Sequence, residues 1–131
     1  MLVHVWTPLR ESLEADELVQ LKSDFEQYKT IGTLPDYFGR DVPFDHPHTL
    51  PLVLQENVQH LHITDDGQPF PIHKVQMKRT SDTHLIYCQG VFNRDCYCLL
   101  AILSPDAHDQ EHNNEIMYKL AKGAEKYRMK Y

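Results

Sequence analysis

His84-Leu85-Ile86-Tyr87-Cys88-Gln89-Gly90, a turn over 91–95, then Cys96-Tyr97-Cys98-Leu99-Leu100-Ala101-Ile102-Leu103: these two apolar runs decide the fold. Their lengths and the short polar break between them predict two antiparallel strands joined by a hairpin. The second run is apolar on both faces, as a central strand requires. Basic, imidazole and amide side chains crowd both ends of the pair, from Lys78 and Arg79 to His108. A buried scaffold bordered by titratable groups is how a catalytic site is usually supported.

Upstream, residues 57–64 alternate Leu61 and Ile63 against Val58, His60 and His62, the pattern of a half-buried strand. Asp65-Asp66-Gly67 reads as a turn. Residues 72–79 alternate again, with Lys74, Gln76 and Lys78 on one face, and predict a further strand. Nearer the start, residues 2–6 predict a short strand stopped by Pro8. A helix is expected over 15–31, where Leu18, Leu21, Phe25 and Tyr28 recur at helical spacing and Gly32 supplies the stop. Between 33 and 56, Pro35, Pro43, Pro47 and Pro51 argue for a long, mostly irregular connection. Downstream, 105–112 is polar and irregular or a first helical turn. Asn113 or Asn114 then suits the cap of a helix reaching about residue 129. The order β-α-loop-β-β-β-β-α defines an α+β fold with a small, mainly antiparallel sheet and a helix near each end.

The 131 residues suit one domain. The apolar share of 41% supports a core, and no apolar run approaches the ~20 residues of a membrane span. The first residues lack the basic region and cleavage site of a signal peptide, so a cytoplasmic protein is expected. Cys88, Cys96 and Cys98 are odd in number and lie in apolar runs, which predicts reduced, buried thiols. Cys-x-Cys without a second pair is a weak metal signal.

The net charge of -6 speaks against a free nucleic-acid binder, but the charge is unevenly spread. Residues 1–71 hold four basic and twelve acidic side chains, a net of -8; residues 72–131 hold nine and seven, a net of +2. On the last helix Lys119, Lys122, Lys126 and Lys130 form a basic stripe opposite Ile116, Leu120, Ala124 and Tyr127.

Cutting RNA without a metal needs a base for the ribose 2′-hydroxyl, cations for the crowded phosphate, and an acid for the leaving 5′-oxygen. His84 opens one strand of the hairpin just after Arg79, and His108 follows the other, so Arg79, His84 and His108 can converge at one sheet edge. The same residues also fit a hydrogen-bonded structural His84 and a surface His108. Arg40 and Asp41 either point into a site or clamp their loop onto the domain. His46-x-His48 and His60-x-His62 face one way on a strand and permit a metal reading, but no recognised motif completes either pair.

Leu34-Pro35-Asp36-Tyr37-Phe38-Gly39-Arg40-Asp41 and His84-Leu85-Ile86-Tyr87-Cys88-Gln89-Gly90 resemble the YafO family of mRNA interferase toxins. So do Ala101-Ile102-Leu103 with Pro105 and His108, and the ending Ala124-Glu125-Lys126-Tyr127-Arg128-Met129-Lys130-Tyr131. The resemblance implies a ribosome-dependent endoribonuclease that cuts translated mRNA, and a cognate antitoxin. Arg79 with His84-Leu85-Ile86-Tyr87 is also similar to a segment of RelE-type toxins, which implies a RelE-like or colicin-nuclease-like sheet and metal-independent chemistry with no cofactor. Leu85 departs from the second basic residue of many relatives, and a helix follows the last strand where many end on a catalytic His or Tyr. The expected catalytic set is therefore Arg79, His84 and His108, with Tyr131 a weaker alternative acid or base, and Arg40, Lys74, Lys78 and Arg128 holding RNA. Two other readings stand beside it: a non-catalytic module whose lysine stripe meets an acidic partner, and a metal-dependent enzyme using the His-x-His pairs.

Overall fold

The structure is a computed structural model describing residues 1–131. Five strands form one sheet in the order β1-β5-β4-β3-β2, with β1 (Leu2–Val5), β2 (Phe38–Pro43), β3 (Gln59–Ile63), β4 (Thr83–Gln89) and β5 (Cys96–Leu103). β4 and β5 form the expected hairpin, and β5, apolar on both faces, lies inside the sheet. β1 runs parallel to β5, and the other pairs are antiparallel. The α+β class with a mainly antiparallel sheet is the one the sequence predicts.

Alternation along β4 splits the core into two layers. Leu85 and Tyr87 face a layer with Phe25, Phe38, Leu61 and Leu99, covered by α1 (Thr7–Ser12) and α2 (Ala15–Ile31). Ile86 and Cys88 face a second layer with Val53, Leu100, Leu120 and Ala124, covered by α3 (Pro51–Gln55), α4 (Ala107–Glu111) and α5 (Asn114–Lys130). α2 ends on Gly32 in the left-handed region, φ 74°, where a Cβ would be strained. α5 starts on Asn113, whose side chain accepts from the backbone N–H groups of Glu115 and Ile116.

Three local expectations change. Residues 72–79 are not a strand but turns and a short 3-10 helix, Gln76–Lys78. Their alternation has no core to face, since Ile72, Val75 and Met77 are exposed, and Pro69 and Pro71 lack the N–H groups a ladder needs. The 33–56 connection holds an edge strand, β2, and α3, because Pro43 closes the edge and Pro51 sits at the start of a helix, both tolerated positions. Pro8 does more than stop β1: it sits at the start of α1. The thiols of Cys88, Cys96 and Cys98 are free and buried, as expected.

Candidate active site

In the β3–β4 ladder His62 lies opposite His84 and His60 opposite Ile86. Residues directly opposite share a face, so all three imidazoles stand on the Ile86 face, where the apolar cover from α5 gives out and α4 takes its place. Their ring centroids are 4.0 Å apart for His62–His84, 5.4 Å for His60–His84 and 5.7 Å for His60–His62. Above them opens a cleft of about 440 Å³ whose walls include His46, His48, His60, His108, Glu111 and His112. Seven of the nine histidines of the chain meet here.

Each inner imidazole has a distinct state. His84 Nδ1 lies 2.6 Å from Glu111 Oε2, and its Nε2 lies 3.0 Å from the Ser81 carbonyl oxygen. A doubly protonated ring satisfies both contacts, donating at each nitrogen. Burial alone would lower its pKa, but the Glu111 hydrogen bond and charge, with Ser81 and Asp82, outweigh burial and raise it. His62 Nδ1 accepts the Ser81 N–H at 2.9 Å. Burial first, then the proximity of His84, His60 and Arg40, pushes its pKa down to about 3, so it is neutral. His60 stacks on Phe44 at 4.3 Å, its Nδ1 is buried without a hydrogen-bond partner, and burial lowers its pKa as well. The floor is thus one imidazolium–carboxylate pair beside two neutral imidazoles.

Arg40 and Asp41 leave β2 on opposite sides. Asp41 accepts from Tyr87 at 2.6 Å, Tyr28 at 2.7 Å and Lys29 at 3.3 Å, which pins β2 to α2. It is the loop clamp, though with tyrosines and a lysine rather than Arg40. Arg40 faces the imidazoles, and only its Nε is engaged, donating to the Met77 carbonyl at 2.8 Å. The Arg79 guanidinium is occupied by backbone: Nε donates to the Lys74 carbonyl at 2.8 Å and Nη1 to that of Phe38 at 3.4 Å. The backbone carbonyl of Arg79 accepts the Arg40 N–H, so Arg79 stands behind Arg40.

Of the residues singled out from sequence, His108 lines the cleft, His84 lies buried behind His60, and Arg40 lies near His62. His108 is exposed at its rim, its backbone N–H held by Asp82. Lys78 follows Met77 along the β2 edge, and Lys74 is exposed on the same segment. Arg128 is elsewhere: it donates to the Gln89 carbonyl and to Glu56, at the far end of β4 from His84, roughly 17 Å away at ordinary strand rise. Tyr131 packs on Tyr127 and His4. Sequence reasoning passed over His60 and His62 as parts of this group, although their alternation put both on one face. It gave no signal for Glu111.

The structure defines a small α+β protein whose five-stranded, mainly antiparallel sheet carries an imidazole-rich cleft on one face, and the sequence comparisons supply the family. The family model described as toxin YafO, type II toxin-antitoxin system, matches residues 26–129. The chain belongs to the YafO toxin family. It is similar to the mRNA interferase toxin YafO of Escherichia coli (strain K12), 44% identical over 124 residues that cover 94% of each chain. No solved structure matches it.

Proposed function

We propose that this toxin is an endoribonuclease that cuts translated mRNA without a metal, docked on the ribosome in the cytoplasm and restrained by a cognate antitoxin. The observation that carries the reading is a neutral His60 lining an open cleft, with the Glu111-paired His84 buried behind it. A neutral imidazole keeps one nitrogen unprotonated, so His60 takes the proton of the ribose 2′-hydroxyl on the ring nitrogen opposite its buried Nδ1. The freed oxygen attacks phosphorus, and the bond to the 5′-oxygen breaks. Arg40, with both terminal amines open, meets the charge gathering on the phosphate, and the His84 imidazolium beneath adds to it. His108, on the exposed rim, protonates the leaving 5′-oxygen.

His84 therefore works as fixed charge and not as the proton carrier, because both its nitrogens are held by Glu111 and Ser81. Arg79 acts by holding Arg40 in place, and Lys78 and Lys74 meet RNA leaving along the β2 edge. Arg128 is engaged with Gln89 and Glu56 and serves as an anchor for α5. With a net charge of -6 the chain has little long-range pull on free RNA, so delivery by a ribosome supplies the encounter.

The test uses purified toxin freed of antitoxin, with mRNA 5′ ends mapped with and without translation, and with and without chelator. Fast cutting on translating ribosomes, weak salt-sensitive cutting of naked RNA, and no effect of chelator are expected. Equal rates without ribosomes overturn the ribosome dependence, loss with chelator overturns the metal-independent step, and no cutting anywhere leaves a non-catalytic binding module.

A further inference from the structure

We infer that the floor of the cleft, His60, His62 and His84, is a site for a divalent transition metal of the zinc class, and that filling it shuts the cleft. The inference concerns regulation of the site described above and rests on that reading only for its effect on cleavage. The three residues offer nitrogen donors that lie within 4.8 Å of one another. A tetrahedral ion draws imidazole nitrogens to a little over 3 Å from each other at Zn–N distances of about 2.0–2.1 Å, so modest ring movement suffices.

The donors are differently prepared. His60 Nδ1 is buried with no partner, an arrangement that buried polar atoms in folded proteins rarely keep. His62 uses Nδ1 to accept the Ser81 N–H, which leaves Nε2 for an ion and fixes the ring by a backbone bond. His84 joins by giving up one of its two present hydrogen bonds, either to Glu111 or to Ser81. If the Glu111 bond is kept, it becomes the carboxylate–imidazole support that commonly accompanies a metal-bound histidine. Three imidazoles and a fourth position for water suit zinc and its neighbours and suit magnesium or calcium poorly, since those ions take oxygen.

The site adjoins the cleft through His60, with His62 and His84 buried behind it. His60 lines the cleft wall, and an ion held by its buried Nδ1 keeps the opposite ring nitrogen protonated and unable to take the substrate proton. The four rim histidines, His46, His48, His108 and His112, are exposed and make no such buried group, so they act as an internal control for loose surface binding.

The experiment titrates the chelator-stripped full chain with Zn²⁺ by calorimetry and with Co²⁺ by visible absorption, without RNA. One ion per chain and a cobalt spectrum of tetrahedral type are expected. Affinity is expected to fall at least ~10-fold in His60→Gln and in His62→Gln, as for loss of one donor, and to persist in the His46→Gln/His48→Gln double variant. His60 has no hydrogen bond at Nδ1 to lose, so His60→Gln keeps the fold and remains decisive if His62→Gln does not. One equivalent of Zn²⁺ is expected to stop ribosomal mRNA cleavage, and chelator to restore it. Absence of saturable binding, or equal affinity in His60→Gln, overturns the site, and zinc that raises cleavage overturns the inhibition. A chain that binds zinc this way but never cuts RNA upholds the site and refutes the nuclease reading instead.

Discussion

His84 Nδ1 and Glu111 Oε2 lie 2.6 Å apart beneath the imidazole cleft, with only 4% and 9% of the two side chains exposed. One residue belongs to the hairpin and the other to a five-residue helix 27 positions downstream, so the pair ties α4 to the sheet at the place where the site opens. Breaking a buried pair from one side strands the other charge, which commonly costs 3–5 kcal/mol. Glu111→Gln is expected to destabilise the protein by about 3 kcal/mol, the low end of that range, because His84 can shed its proton. Urea unfolding measures it; a change below ~1 kcal/mol means the pair carries no such weight.

Proton transfer by His60 and His108 makes a kinetic prediction. His60→Ala and His108→Ala are each expected to lower cleavage on ribosomes by ~10²-fold or more with the fold intact. A variant that keeps full activity removes that residue from the reaction. His84→Ala is expected to lose activity together with stability, since its charge has no other source on the floor.

Gly39 is the point where β2 meets the 76–79 segment. A Cβ there would collide with the backbone carbonyl of Arg79, and backbone cannot swing aside. Gly39→Ala is expected to cost about 1–3 kcal/mol by overpacking. It is also expected to weaken cleavage, because Arg40 takes its backbone and Nε partners from that segment. Thermal unfolding and cleavage rate are the measurements, and unchanged values in both refute the contact.

Stability is expected to fall on acidification from about pH 6.5. Burial, ahead of neighbouring charges, lowers the pKa of His60, of His62 to about 3, and of His4, which also lies near Lys22, Lys130 and Arg10. Below pH 6.5 the unfolded chain takes up protons that these folded residues refuse, so their contribution is present above 6.5 and is lost as pH falls. His84 has the opposite sign: its contribution is complete below 6.5 and is lost as pH rises through its raised pKa, so it adds no slope in the acid window. The Tm is expected to drop by ~5 °C or more between pH 7 and 5, less steeply in His62→Gln. A flat or rising Tm contradicts the neutral state of these imidazoles.

The thiols give a chemical readout of the second core layer. Burial raises Cys88 well above the ordinary thiol range and Cys98 to about 12, and Cys96 is equally enclosed. Alkylation of native protein at pH 8 is expected to leave all three unmodified, and unfolding to expose all three. Fast labelling of any one shows that α5 opens from the sheet.

Local pattern alone determined the hairpin of β4 and β5, the interior place of β5, the α2 helix with its glycine stop, and α5 with its asparagine cap. In each, the residues that decide the structure lie within a turn or a strand length of one another. It also carried the family, because the motifs from Leu34 to Asp41 and from His84 to Gly90 are contiguous.

Tertiary structure decided the rest. The alternation of 72–79 looks like a strand, yet Ile72, Val75 and Met77 find no apolar face, and the segment turns along β2 instead. Asp41 and Arg40 are neighbours in sequence but serve different layers, one between Tyr28 of α2 and Tyr87 of β4 and the other beside imidazoles. The site itself depends on the β3–β4 register, which sets His62 opposite His84, and on α4 returning Glu111 to the same point. A one-residue slip in that register would send both His60 and His62 to the opposite face. Strand register and helix docking are set by burial across the whole sheet, so residues far apart in the chain acquire their charge states, and their chemistry, only once the two core layers have formed.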